Sequence, residues 1–169
     1  MGLPRKLKNF ATFVDGTNFM GEMEEVTLPT LSRKMEDWRS GGMNGPISMD
    51  LGMEKLEAEL KGAGWTKGLL SQWGAGSHDA VMLRFAGAVQ SDDTEAVQAV
   101  EVVMRGRLAE MKPDAAKAGD KSNHNYKYAL SYYKLTIDGN TEIEIDLVNL
   151  VEMVDGEDRL AAVRTALGV

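Results

Sequence analysis

Apolar and polar positions alternate with a period of two along much of this chain. In TEIEIDL, Ile143, Ile145 and Leu147 fall on one side while Glu142, Glu144 and Asp146 fall on the other. That pattern predicts a half-buried strand with an acidic outer face. Ile47, Met49, Leu51 and Met53 alternate in the same way with Ser48, Asp50, Gly52 and Glu54. Leu56, Ala58 and Leu60 then alternate with Glu57, Glu59 and Lys61. The apolar phase changes parity around Met53–Lys55, so a turn or bulge must intervene, because a slip of one residue reverses every side chain. Further strands are expected at Phe10–Val14, Met20–Leu28, Val81–Gln90, Val97–Leu108 and Tyr126–Ile137. Within the last, Tyr128, Leu130 and Tyr132 share one face and Tyr133, Leu135 and Ile137 the other. A bulge, or cover on both faces, would reconcile them.

Three Asp-Gly pairs punctuate the chain, at Asp15, Asp138 and Asp155. The first two separate alternating runs and predict hairpin turns, since both central positions of such turns favour positive φ. Two short helices are expected. Trp65, Leu69 and Trp73 recur every four residues, with Gly74 as a stop. Near the C-terminus, Asp155 is placed to cap a helix running to about Leu167, with Leu160, Val163 and Leu167 as its apolar stripe and Gly168 closing it. Lys112–Ser122 is expected to be an exposed connector. The architecture is mainly β: a sandwich or partly open barrel with one or two flanking helices, in a single domain spanning residues 1–169.

One stretch escapes the alternation. PTLSRKMEDWRSGGMNGP, residues 29–46, is bracketed by prolines, crowded with charge and broken by Gly41, Gly42 and Gly45. It is expected to be neither strand nor tight turn. Structureless loops of that length usually reach out to contact something, so it is assigned as an arm that docks one subunit on another.

Composition narrows the classes. At 169 residues the chain suits one domain, and 43% hydrophobic with 27% charged residues fits a folded globular protein. A formal net charge of −7 argues against a surface that grips nucleic acid. No apolar run approaches a membrane span, and MGLPRKLKNF is not expected to be a secretory signal. The absence of cysteine removes disulfides, thiolate chemistry and Cys-ligated zinc. Eleven methionines are present. Met49, Met53, Met82 and Met104 are assigned to the core; Met20, Met23, Met35 and Met43, beside polar segments, are candidates for an adaptable interface.

Catalytic patterns are missing. His78 and His124 lie in polar contexts without metal-ligand spacing. RSGG and GAGSHDA do not form a nucleophile elbow, and the Gly41–Gly45 cluster lacks the Lys-Ser/Thr of a phosphate-binding loop. Adjacent carboxylates such as Glu24/Glu25 and Asp92/Asp93 suit a solvated surface better than acid–base work. Enzymatic activity and cofactors are not expected. Strands with open edges do need cover, which a closed ring of identical subunits would provide.

LPRKLKNF, EEVTLPTLSRKMEDWRSGGMNGPISMDLGMEKLE, SYYKLTIDG and EIDLVNLVEMVDGEDRLAAVRTALG together resemble the major tail tube proteins of contractile-tailed bacteriophages and of R-type pyocins. The resemblance implies hexameric rings stacked into a hollow tube inside a contractile sheath. Each subunit would have a sandwich or barrel core with a flanking helix and would add strands to a barrel lining the channel. It implies as partners other copies of the chain, the tail sheath protein, and the baseplate and tail terminator proteins, with DNA only in transit and no membrane span. The location implied is the tail of the virion or bacteriocin particle, assembled in the bacterial host cytoplasm. The tube protein of a type VI secretion-like system is an alternative, and a small-ligand-binding β-barrel a more distant one.

Residues for these roles can be nominated. Arg33, Glu36, Trp38 and Arg39 are assigned to contact between subunits or rings, aided by Leu3 and Phe10 around the N-terminal arm 1–9; Trp and Arg are common anchors of desolvated contacts. Asp50, Glu54, Glu57 and Glu59 are candidates for an acidic channel lining that lets a polyanion slide.

Overall fold

The computed structural model describes residues 2–169. In chain order the strands are β1 (Lys6–Val14), β2 (Thr17–Asn18), β3 (Met23–Thr27), β4 (Arg33–Trp38), β5 (Ile47–Met53) and β6 (Leu56–Ala63). After helix α1 (Lys67–Leu70) come β7 (Val81–Gln90), β8 (Val97–Pro113), β9 (Asn123–Ile137), β10 (Asn140–Asp146), β11 (Val151–Val154) and β12 (Glu157–Asp158). Helix α2 (Ala161–Leu167) ends the chain. The expected β architecture with two short helices is present.

Ten strands form one antiparallel sheet, and β4 and β5 form a separate hairpin. The long strands β8 and β9 are the spine of the large sheet. Along one edge, β9 pairs with β6 through Asn123–Leu130 and with β10 from Tyr132 onward. Across the spine, β7 covers β8 only from Val97 to Gly106. The sheet therefore divides into two layers sharing the spine: β3-β6-β9-β8 through its early β9 half, and β2-β1-β7-β8-β9-β10-β11-β12 through its late half. Both layers press on a single core in which Leu60, Val102, Tyr126 and Tyr128 are fully buried. Leu60 and Val102 each contribute about 1.5–3 kcal/mol by leaving water.

The junction between layers explains the split face of Tyr126–Ile137. Arg105 pairs with Tyr132 and Gly106 with Leu130, so Ser131 is an extra residue in β9. The bulge moves the buried phase from Tyr126, Tyr128 and Leu130 to Tyr133 and keeps the same side of the sheet against the core. A second bulge at Ala109 shifts β8 in the same way, from Leu108 to Met111.

All three Asp-Gly pairs are two-residue hairpin turns with positive φ at both positions. The third differs from expectation. Asp155 joins β11 to β12 and does not cap a helix, and α2 starts only at Ala161. No side chain caps α2; ahead of it Asp158 accepts the Leu160 N–H at 3.1 Å and pairs with Arg164. That pairing holds the Asp158 carboxyl below the usual carboxylate range. Gly168 closes α2 in the left-handed region as expected. The Trp65–Trp73 helix is reduced to one turn. Leu69 alone enters the core, while Trp65 and Trp73 stay exposed because neither packs under another layer.

Three methionine assignments also change: Met82, expected in the core, falls on the outward phase of β7, opposite to buried Val81 and Leu83. Met49, expected in the core, is 47% exposed on the hairpin, and Met23, expected at an interface, is buried beneath β6. Met104 is in the core as expected.

Candidate functional site

The segment expected to be structureless contains β4. Arg33–Trp38 pairs with Ile47–Met53, and only residues 39–46 remain as the connecting loop. The alternation was obscured because this hairpin lacks a buried face. Trp38 lies opposite Ile47 and Glu36 opposite Met49, which places all four on one side of the ribbon. Trp38, Ile47, Met49 and Leu51 each keep about half their surface in water. A row of large apolar side chains on a two-stranded ribbon has nothing to bury it within the protomer; such ribbons are marginal alone. On the opposite side Met35 is also exposed, and Ser48 Oγ donates to Asp37 at 2.9 Å. The loop closes on itself, with the Ser40 N–H directed at Met43 Sδ at 3.3 Å.

Arg33 fixes the base of this ribbon. Its Nε donates to Asp50 Oδ2 at 2.8 Å, and its Nη1 donates to both carboxylate oxygens of Glu152 on β11 at 2.9 and 3.0 Å. Asp50 and Glu152 together raise the guanidinium pKa. Asp50 is held low, first by the Gly52 N–H and then by Arg33. Arg33 is thus committed inside its own chain. Glu36, Trp38 and Arg39 lie farther along the ribbon and are exposed. Beside the base, Met53, Ile145, Leu150, Val151 and Leu160 line an apolar groove of about 210 Å³.

The N-terminal arm is pinned to the β7–β8 connection. Leu3 donates its N–H to Asp93 Oδ2 at 2.9 Å, its carbonyl accepts from Ser91 Oγ at 3.1 Å, and Lys8 pairs with Asp92 at 2.6 Å. Lys6–Asn9 of the expected arm belong to β1; Met1 lies outside the described residues. The Leu3 side chain remains exposed, whereas Phe10 stacks on Phe85 with centroids 5.6 Å apart and packs on the core.

The four nominated carboxylates separate as well. Asp50 is on the hairpin and Glu54 in the link that follows, whereas Glu57 and Glu59 are on β6 of the large sheet. Strands β5 and β6 belong to different sheets and do not pair with each other within the protomer. Glu57 and Glu59 belong to the outward face of the four-stranded layer. Lys61 follows them on β6, and Glu25 of β3 lies opposite Lys61. Lys127 of β9 is flanked by Glu59 on one side and Glu110 of β8 on the other. Arg107 and Lys112 complete the β8 edge of that face. Glu57 pairs with Lys55 at 3.1 Å and Lys127 at 3.3 Å; the Lys55 contact leads in lowering its pKa. The cations were missed because β8 and β9 were read for their apolar phase alone. The opposite phase of each strand carried the signal.

This layer has two uncovered margins. Among the described residues, β3 has β6 as its only strand partner, and Arg107–Pro113 extends past the end of β7. Neither histidine forms a reactive centre with these parts. His78 Nδ1 lies 2.8 Å from Ser131 Oγ in an exposed polar recess, and His124 is buried with its ring 4.3 Å from that of Trp65. No cluster of His, Asp or Glu among the described residues suits a metal ion.

The fold recurs in contractile injection systems. A chain of the PVC extracellular contractile injection system, in its extended sheath–tube complex, superposes with a TM-score of 0.59 over 79% of this chain and 91% of that one, at 9% identity. A chain of the anti-feeding prophage tube-terminating cap gives 0.60 over 81% and 92%, also at 9% identity. Sequence relatives are closer. The tail tube protein of Escherichia phage P2 is 40% identical over 172 residues, covering 100% of both chains. The major tail tube protein of Serratia phage KSP20 is 41% identical over 160 residues, 94% of this chain and 92% of that one. Residues 4–168 match the family model for phage tail tube protein FII, and the chain belongs to that family. Its role is structural, as a tail tube protein, and not enzymatic.

Proposed function

We propose that six copies close into a ring and that rings stack into the inner tube of a contractile tail or phage-tail-like particle, serving as conduit for DNA and as puncturing needle. The observation that carries this reading is the pair of uncovered margins on the β3-β6-β9-β8 layer. Exposed edges of this kind template pairing with another chain. Joining β3 of one subunit to the Arg107–Pro113 margin of the next satisfies both, and repetition of that heterologous contact closes a ring. The outward face of this layer then lines the bore, and Glu57 and Glu59 are the two nominated carboxylates that face it.

The β4–β5 ribbon makes the contact between rings. Trp38 is its central anchor, with Ile47 and Met49 beside it and Glu36 and Arg39 at the rim. The sheath protein surrounds the tube, the baseplate and tail terminator proteins meet its two ends, and the tail is assembled in the bacterial host cytoplasm. Negative-stain electron microscopy with analytical ultracentrifugation tests the reading. Rings and hollow filaments are expected from the purified chain, and deletion of Ser40–Gly45 should leave folded subunits that no longer form long tubes. An 18.5 kDa species that remains monomeric at high concentration would overturn the ring. Long tubes from the deletion variant would overturn the role of the ribbon.

A further inference from the structure

The outward face of the β3-β6-β9-β8 layer is balanced in charge. Glu25 lies opposite Lys61, and Glu59 and Glu110 each lie opposite Lys127; Glu57 and Arg107 flank Ala129 on its two sides, and Lys112 lies opposite Asn125, so the face carries four carboxylates and four cations. The formal charge of −7 carried by the whole chain therefore resides elsewhere. Lys127 is the hub, ion-paired to Glu57 and set between Glu59 and Glu110 in the register. Opposite charges directly across strands attract, so the arrangement supports the sheet as well as cancelling its field.

We propose that the channel wall is a charge-compensated surface across which a polyanion such as duplex DNA passes without being gripped or repelled. This rests on the reading that the layer faces the bore. Gripping a duplex requires cations free to replace phosphate counterions, and Lys127 is already engaged by carboxylates. Repulsion requires a net negative field, and the alternating carboxylates and cations cancel theirs within a few ångströms. The acidic wall expected from Glu57 and Glu59 alone is replaced by one whose influence on cargo is nearly independent of salt.

The chain has no cysteine, so one introduced thiol can report the local potential. Ala129→Cys lies between Glu57 and Arg107 in the register, and Thr27→Cys lies opposite Glu59. In assembled tubes, the reaction rates of cationic and anionic methanethiosulfonate reagents are compared, each normalised to a free thiol. At about 10 mM salt, where screening extends about 30 Å, the ratio should stay within about threefold of unity; at about 1 M, where it extends about 3 Å, it should hardly change. A preference above roughly tenfold for the cationic reagent at low salt, lost at high salt, overturns the proposal. Lys127→Gln in the same background should shift the ratio several-fold toward the cationic reagent, and no shift overturns the assignment of Lys127. A maleimide attached to a globular protein too wide for the bore tests the underlying reading separately. It should label free subunits but not tube interiors. Equal labelling of both would place the face outside, overturning the channel-wall assignment, while the small-reagent ratio still decides the charge balance.

Discussion

Gly106 on β8 lies so close to Ala129 on β9 that a Cβ added there would sit 2.2 Å from the Ala129 carbonyl oxygen and 2.9 Å from its carbonyl carbon. The contact falls beside the Ser131 bulge, where the two layers of the sheet diverge. Backbone cannot retreat as a flexible side chain can. Gly106→Ala should therefore cost about 3 kcal/mol, at the upper end of the usual penalty for overpacking. Urea unfolding followed by far-UV circular dichroism measures it, and a loss below about 1 kcal/mol would mean the layers part easily at this point.

Glu152 tethers the β4–β5 ribbon through Arg33. Replacing it with Ala leaves Arg33 paired with Asp50 alone and frees the ribbon from β11. The expected result is a modest loss of global stability, about 1–2 kcal/mol for a half-buried charge-assisted pair. Faster amide exchange should be concentrated in Arg33–Trp38 and Ile47–Met53. Exchange that accelerates evenly across the large sheet would contradict a local tether.

Trp38 should matter to the assembly and not to the fold. More than half of it is in water in the protomer, so Trp38→Glu should change subunit stability by less than about 0.5 kcal/mol. The same variant should shorten or abolish tubes seen by electron microscopy, because it puts a charge into a contact that must be desolvated. Normal tubes from a stable variant would remove Trp38 from the ring-to-ring contact.

Alkaline pH should loosen the spine. Burial raises the phenol pKa of Tyr128, Tyr132 and Tyr133, and Tyr132, which also donates to Glu144 Oε1 at 2.9 Å, is pushed up to about 12. Folding favours the neutral phenol in each case. Stability is fully present below about pH 10, where an unfolded tyrosine is still protonated, and is lost as pH rises toward 12. Unfolding midpoints at a series of alkaline pH values would show the slope, and Tyr132→Phe should reduce it. A slope unchanged by that substitution would mean Tyr132 ionises outside the folded network.

Where strands have one wet and one dry face, the pattern along the chain was enough to locate them. Val81–Gln90 was bounded correctly, and Asp15-Gly16 and Asp138-Gly139 were identified as turns. Arg33–Trp38 was not recognised as a strand, because neither face of an exposed ribbon needs to be consistently apolar. Asp155 was given to a helix because an acidic residue ahead of an apolar stripe resembles a cap. Only pairing of Val154 with Glu157 distinguishes that from a hairpin. Glu57 and Glu59 were visible as a charged face with Lys55 beside it, but Lys127, which stands between Glu59 and Glu110 in the register, comes from a strand about seventy residues away along the chain.

Sequence alone determined the β character, the hairpin turns, the absence of cysteine and the family likeness, since each depends on residue type or on neighbours a few positions apart. Tertiary structure alone decided that Ser131 and Gly106 sit where two layers separate, that Arg33 ties down an otherwise unsupported ribbon, and that Lys127 stands among carboxylates. Pairing register governs all three. It depends on which distant strands meet and at what offset, and local alternation carries no record of that choice.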